Sequence, residues 1–523
     1  MKTQQTQNKV TERAQFFMLF SAALFLAIYI LLRYGGLWGE SDTFVFTGVI
    51  RNMFDNQTLV PSGHIYPNGY GYQTLAIFLM HTTGMSLAQL QIYGGVLFMV
   101  WLVFPAWLVY YEFTGSSRGG VLATVLLFVQ PEFLFPVLRG THEKFTRGLM
   151  FLCVYLLIRS LHARSHVERF TSWILAYYIA SYALITFNNL LASSFIMAVT
   201  IAMMLSWVAL RISRQAAPLT QLAIRRLTFA SIISLGLAFM FTFYIYQPAR
   251  HDLLVLESIG EQLGALVLDV EAERSNPYGV IDTGWISRRV YFTLSIANWL
   301  LLGMSAIIWL VQSLIWLFRR HYPPGRTENG LLLWAFYGAF AFIGGISVLS
   351  DMSGSVGNLQ HRLFPSFAMF GAPVVAKWLT DRIGQTSRIA PILWAGIGIL
   401  ALLSTLKATN EPLLSNKWFF YIPAEMQAID WATEKLADQA LWVEYDERLV
   451  TGVGIHDGGR LREVSLDQYA HEPWTRDFLV SDVIRRRSIR LSVPLPIEAD
   501  SLRTYDNGQA QIYHLRPQTQ YQK

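Results

Sequence analysis

Apolar runs of about 20 residues recur along this 523-residue chain, and no other feature limits the fold so tightly. A run of that length crosses a bilayer as a helix, because every backbone N–H and C=O must find its partner inside the segment. Charged residues make up 15% of the chain, against roughly a quarter in soluble domains, and mean hydropathy is +0.35. The chain therefore reads as an α-helical polytopic membrane protein. Its net charge of +6 does not point to nucleic acid, because Lys and Arg collect in short loops between apolar runs. That is the positive-inside pattern. The single cysteine, Cys153, lies within an apolar run, so no intramolecular disulfide can form.

About eleven spans are expected. The first, Phe16 to Leu32, follows Lys2, Lys9 and Arg13 and precedes Arg33-Tyr34-Gly35-Gly36. With no small-residue cleavage site, it reads as a retained anchor whose N-terminus is cytoplasmic. Tyr72 to Thr83 is apolar but too short to cross, and is read as re-entrant or interfacial. Further spans fall at 90–110, 121–138, 148–158, 172–187, 190–210, 227–246, 290–318, 331–349, 361–379 and 389–406. This register leaves large outer loops at 33–89 and 247–287, the second rich in acids, and puts Lys or Arg in each inward connection. Gly119-Gly120 and Gly344-Gly345 read as helix-packing sites.

Residues 1–406 form the membrane part, and 407–523 a small soluble α/β domain on the extracytoplasmic side. Within the latter, Ala424–Ala437 is helical by pattern, while Leu441–Tyr445 and Phe478–Val483 read as strands. Leu502–Tyr505 and Gln509–Leu515 alternate around Asp506-Asn507-Gly508, a hairpin signal.

The chemistry-bearing groups gather at the outer ends of the spans, where ionisable residues are costly and signal function. Glu40 and Asp42 follow the first span. An amphipathic segment comes next, with Phe46, Val49, Ile50, Met53 and Phe54 on one face and Thr47, Arg51, Asn52 and Asp55 on the other. It is expected to lie on the bilayer with its apolar face in lipid, and Ser41 or Asp42 is placed to cap it. A second set is the connector Arg139-Gly140-Thr141-His142-Glu143-Lys144-Phe145-Thr146-Arg147, with Glu132 upstream. A third is Arg288-Arg289, and a fourth His361-Arg362. Carboxylates can take a proton from an attacking hydroxyl or hold a divalent metal; arginine offers phosphate a bidentate fork and lysine a point charge. Each set also has a plain structural reading. Arg147 can pair with Glu143 at i,i+4, Arg288-Arg289 can meet lipid headgroups, and Glu132 can relieve a helix irregularity beside Pro131. Likewise Asn188-Asn189 can be a turn, and His81 an interface residue.

These residues, in this order, resemble the GT-C superfamily of membrane glycosyltransferases: Glu40-Ser41-Asp42 after the first span, His142-Glu143 between the third and fourth, and His361-Arg362 before a late span. The resemblance covers roughly Phe16 to Leu406. It implies a polyprenyl-phosphate-linked sugar donor, a glycan, lipid or protein acceptor, and inverting transfer at the outer face. Asp42 would be the general base, with Glu40 as the alternative. Glu143, and His142 beside it, would support the base or share a divalent metal, Mg or Mn, with Asp42. Arg362, with Arg139, Lys144 and His361, would hold the phosphate. The second motif here is His-Glu-Lys rather than a pair of acids, and a Trp-Trp-Asp-type acceptor motif is absent from the sequence. The expectation is a glycosyltransferase of the cell envelope, in a prokaryotic cell membrane. An O-antigen-type polymerase or ligase, and a transporter or flippase for a lipid-linked glycan, are the competing readings.

Overall fold

The computed structural model describes residues 2–34, 41–58, 68–163, 167–213, 218–251, 288–320, 327–352, 359–383, 390–409, 422–436, 441–443, 461–463, 476–491 and 501–515, with isolated positions at 254, 257, 260, 261, 495 and 497. Its membrane part contains α1 (Lys2–Tyr34), α2 (Ser41–Asp55), α3 (Gly71–Thr83), α4 (Gly95–Thr114), α5 (Ser117–Phe128), α6 (Pro131–Leu138), α7 (Glu143–Leu161), α8 (Val167–Phe187), α9 (Asn189–Ile212) and α10 (Pro218–Met240). It continues with α11 (Arg288–Leu294), α12 (Ile296–Arg319), α13 (Glu328–Met352), α14 (Leu359–Ile383) and α15 (Ala390–Ala408).

Among the described residues, nine helices are long and apolar enough to cross a membrane, and α5 with α6 is apolar enough together but bent by 76°, as in a broken span or a re-entrant loop. Helix α7 is as long as a span, yet it carries Glu143, Lys144, Arg147 and Arg159. The expected third span is thus not one helix. The chain turns at Val129-Gln130, and Pro131 starts α6 in the first-turn position, where its missing N–H costs nothing. Small residues set the packing next to that bend: a Cβ on Gly120 would lie 3.1 Å from the Tyr111 nitrogen, so α5 and α4 meet closely. A Cβ on Gly344 or Gly345 would meet nothing within 4 Å, so the packing role expected of them is not met among the described residues.

One large core runs through the bundle, with α4, α7, α9, α13 and α14 at its centre. At one end, polar groups tie the helices together. Arg159 lies 3.4 Å from Glu112, and His162 lies 3.2 Å from Glu328. The Asn329 amide donates to the Glu112 carbonyl at 2.8 Å, and Arg226 donates to the carbonyls that close α7 at Ser160, Leu161 and Ala163. Helix α7 then runs its 19 residues, about 28 Å, to the opposite end, where the candidate residues lie.

The C-terminal part holds α16 (Pro423–Lys435), β1 (Leu441–Val443), β2 (Leu461–Glu463), β3 (Arg476–Ser481), α17 (Asp482–Leu491), β4 (Leu502–Asp506) and β5 (Ala510–Leu515). The sheet order is β2-β1-β3-β5-β4, with β1 parallel to β2 and β3, and β5 antiparallel to β3 and β4. The hairpin is built as its sequence predicts. Gly508 takes φ +89°, and Asp506 and Asn507 accept from backbone N–H groups within the turn. The strand expected over Phe478–Val483 ends at Ser481, whose hydroxyl accepts from the Ile484 N–H and opens α17. Helix α16 buries Ala428 and Ile429 with Phe478, Val480 and Ile512.

Candidate functional site

The segment between α1 and α4 is built on α2 and α3. Phe46, Val49, Ile50 and Met53 of α2 are buried, but not in lipid as the amphipathic pattern suggests. They pack on Tyr72, Ala76 and Ile77 of α3 and on Leu87 and Leu90. Lipid and protein are equally apolar, so the pattern names the face and not its cover. Each such side chain stabilises by about 1.5–3 kcal/mol when taken from water. Thr47, on the side expected to be polar and solvated, is buried too and donates to Gln91 Oε1 at 3.0 Å. Gln91 sits in a π-helical turn, Leu90–Gly94, that leads into α4, and such irregularities frequently mark functional sites. His81 is exposed and stacks on Phe54, with 4.9 Å between ring centroids.

Backbone bonds sew this loop to the α8–α9 turn. The Tyr70 N–H donates to the Thr186 carbonyl at 2.9 Å, and the Asn189 N–H to the Asn68 carbonyl at 2.6 Å. Between them Gly69 takes φ +147°, and a Cβ there would lie 2.2 Å from the Thr186 oxygen. A glycine is required by both conformation and space.

The connector 139–147 lies against this assembly. Tyr72 donates its hydroxyl to the Gly140 carbonyl at 2.6 Å, and burial raises that phenol above its ordinary value, which keeps it a donor. Lys144 is buried and turns its ammonium back onto the Arg139 and Thr141 carbonyls. It therefore orders the connector. A small apolar cavity lined by Tyr72, Leu79, Leu90, Phe98 and Phe145 ends at Lys144. The Arg139 guanidinium stacks over the Phe135 ring at 4.1 Å.

His142 packs its ring on Phe46, centroid to centroid 4.9 Å, and its Nε2 lies 2.6 Å from Asn188 Nδ2. The Asn188 oxygen already accepts from the Leu191 N–H at 3.0 Å as the cap of α9. Its NH2 can only donate, so Nε2 of His142 is an acceptor and the ring is neutral. Glu143 lies 3.5 Å from Arg147, the i,i+4 pair expected. Arg147 then goes further, donating to the Arg362 carbonyl at 3.2 Å and to the Ser366 hydroxyl on α14. Burial pushes the Glu143 carboxyl up, while the charge of Arg147 first, then of the His142 side, Arg139 and Arg362, pulls it down, and the balance lies below its ordinary value. One carboxylate thus faces a cationic surplus.

The fold brings the connector, α2 and the start of α14 to one end of the bundle. Glu40 lies outside the described residues. Asp42 occupies the first turn of α2, one turn before the Phe46 that packs on His142. His361 and Arg362 are the third and fourth residues of α14, and the Arg362 side chain is exposed. Arg288 and Arg289 start α11, and most of the acidic loop 247–287 lies outside the described residues. Glu132 stands apart, 2.5 Å from Lys407 at the end of α15, whose ammonium lies 4.6 Å from the Tyr291 ring centroid. Sequence reasoning read Asn188 as a turn residue, which it is, but not its bond to His142; it missed Ser366 and Lys407 and gave Arg147 only its local partner. Among the described residues no group of three His, Cys, Asp or Glu side chains is placed to hold a metal ion. As placed, His142 Nε2 faces Asn188 and Glu143 faces Arg147.

No protein-family model and no curated protein matches the sequence. Solved structures do share the arrangement. ArnT from Cupriavidus metallidurans bound to undecaprenyl phosphate superposes with a TM-score of 0.51 at 11% identity, covering 95% of this chain and 97% of that one. Its apo state gives 0.53 at 11% identity, over 94% and 97%. The archaeal oligosaccharyltransferase AglB from Archaeoglobus fulgidus, in complex with an inhibitory peptide and a dolichol-phosphate, gives 0.52 at 11% identity, over 85% of this chain. The chain has the GT-C fold. It spans 64% of the AglB chain and nearly all of ArnT. Helices α2 and α3 lie in the segment between α1 and α4, and the chain is an integral membrane protein.

Proposed function

We propose that this protein is a glycosyltransferase that moves a sugar from a polyprenyl-phosphate donor to an acceptor hydroxyl at the extracytoplasmic face of a prokaryotic cell membrane. The observation that carries the reading is the convergence, within a GT-C fold, of the connector's cations and Glu143 with the Arg362 turn, beside the helix that bears Asp42. Undecaprenyl phosphate bound to ArnT, which this chain matches nearly end to end, supports a lipid-phosphate donor.

In the reaction, Asp42, or Glu40 in its place, takes the proton as the acceptor oxygen attacks the anomeric carbon. The carbon–oxygen bond to phosphate breaks and the phosphate leaves with the electron pair, so the anomeric centre inverts. Arg362 and Arg139 balance the charge that grows on the leaving phosphate, with His361 and Lys144 as the remaining candidates from the sequence. Glu143 stays ionised and keeps Arg147 in place, while neutral His142 packs against the helix that carries the base. A transporter would favour charged groups deep in several spans, whereas the described cations collect at the helix ends. The acceptor, whether glycan, lipid or protein, would approach from the side of the 407–523 domain.

The test is transfer from a polyprenyl-phosphate sugar by the full-length protein in detergent or nanodiscs. Asp42→Asn is expected to abolish turnover while donor binding stays, and Arg362→Ala to raise the donor KM about tenfold or more. Unimpaired turnover in Asp42→Asn would remove the base, and an unmoved donor KM in Arg362→Ala would remove the phosphate contact.

A further inference from the structure

Among the described residues, Arg147 is the largest side chain buried fully, at 1% exposure. Burying a guanidinium is costly, and a well-packed apolar residue in its place would leave a helix bundle as stable or more so. An i,i+4 partner recovers little of that cost, since such pairs are worth about 0.3–0.5 kcal/mol when exposed. The remaining contacts show what the group does. One terminal nitrogen reaches Glu143 at 3.5 Å and the Arg362 carbonyl at 3.2 Å. The other reaches the Ser366 hydroxyl and, at 3.7 Å, the Met150 sulfur.

Both partners on α14 lie one turn apart, and Pro365 sits between them. Pro365 has no N–H to give the His361 carbonyl four residues back and its ring crowds that turn, so the first turn of α14, next to the Arg362 carbonyl, is short of internal bonds. Arg147 supplies a bond from outside. It takes the backbone of Arg362, whose own side chain is exposed, and ties it to the acid that opens α7.

We propose that Arg147 is a positioning residue: it fixes the turn bearing Arg362 against Glu143, and so sets how well the protein holds the donor's phosphate. This rests on the reading of Arg362 as a phosphate contact. Loss of Arg147 lets the turn drift, and a displacement of about 1 Å at a binding group can cost up to 100-fold. The chemical step, governed by the acid on α2, is not addressed by this link. The effect therefore falls on donor KM and on affinity for the polyprenyl phosphate product.

Arg147→Gln, Arg147→Lys and Ser366→Ala are compared with wild type and Arg362→Ala in the full-length protein. The readouts are donor KM, acceptor KM, kcat at saturating donor, and direct binding of polyprenyl phosphate. Arg147→Gln is expected to raise donor KM about 10- to 100-fold with kcat within about threefold and acceptor KM unmoved. Arg147→Lys should fall between, since one ammonium cannot span Arg362 and Ser366 as a planar fork does. Ser366→Ala should raise donor KM about threefold, and it decides the matter should Arg147→Gln fail to fold. A fall in kcat with donor KM unchanged, or equal losses for donor and acceptor, overturns the proposal. If Arg362→Ala moves donor KM and the Arg147 and Ser366 variants do not, the positioning role alone fails. If wild type neither transfers sugar nor binds polyprenyl phosphate, the glycosyltransferase reading fails and takes this one with it.

Discussion

Replacing Asn188 separates two jobs that one side chain performs, and each replacement has its own signature. The amide oxygen caps α9 by accepting from the Leu191 N–H at 3.0 Å, while the NH2 donates to His142 Nε2 at 2.6 Å. Asn188→Ala removes both. A lost cap costs about 1 kcal/mol, and a buried imidazole nitrogen left without its donor about 1–3 kcal/mol, so the sum is about 2–4 kcal/mol. Asn188→Asp keeps the cap, because Asp and Asn cap equally well. It turns an acceptor oxygen toward Nε2, which now has to carry a proton, and the new carboxylate raises the pKa of His142. A raised histidine pKa contributes stability that is fully present below the unfolded value, about 6.5, and is lost as pH rises through the folded value. Unfolding of the full protein in detergent, followed by denaturant titration between about pH 5 and pH 9, reads both effects. Asn188→Ala should trail wild type by a similar margin throughout, and Asn188→Asp should trail increasingly as pH rises. Equal stability of Asn188→Ala and wild type, or a difference between Asn188→Asp and wild type that does not vary with pH, would refute the reasoning.

Two further outcomes follow from the same physics. Glu132 and Lys407, 2.5 Å apart and largely buried, join α6 to the end of α15. Removing one partner, as in Glu132→Gln, should cost about 3 kcal/mol by stranding the other charge, while Glu132→Gln with Lys407→Met should recover much of it; a double-mutant cycle on unfolding midpoints checks the coupling. Glu143 is held below its ordinary pKa, so its contribution is present above the unfolded value, about 4.3, and is lost as pH falls from there through the folded value. The stability margin of wild type over Glu143→Gln should be constant above about pH 5 and shrink only in more acid solution, as a pH series of midpoints for the two proteins would show.

What could be read from the sequence was local. The apolar runs gave the helical bundle, the 13-residue length of α3 kept it from being counted as a crossing, and Asp506-Asn507-Gly508 specified its hairpin. The order Asp42, His142-Glu143, Arg362 pointed to a GT-C arrangement. What escaped was long-range. The bond from Asn188 to His142, the reach of Arg147 to α14 and the pairing of Glu132 with Lys407 join residues far apart in the chain, where spacing carries no information. The apolar face of α2 was correctly named at Phe46, Val49, Ile50 and Met53 but not at Phe54, which is exposed, and it was wrongly covered, because hydrophobic periodicity does not say whether lipid or protein will meet it. The turn at Val129-Gln130 was overlooked because its flanks are as apolar as a continuous span.

The seam at Asn68–Tyr70 and Thr186–Asn189 is made of main-chain atoms, and that gives the region an unusual tolerance. Apart from Asn188, side chains along both segments of the seam can change without breaking these main-chain bonds, provided position 69 keeps no Cβ. A lineage of such proteins could alter what the mouth of the bundle prefers to accept by exchanging residues there, while the scaffold that aims α2 at His142 stays in register.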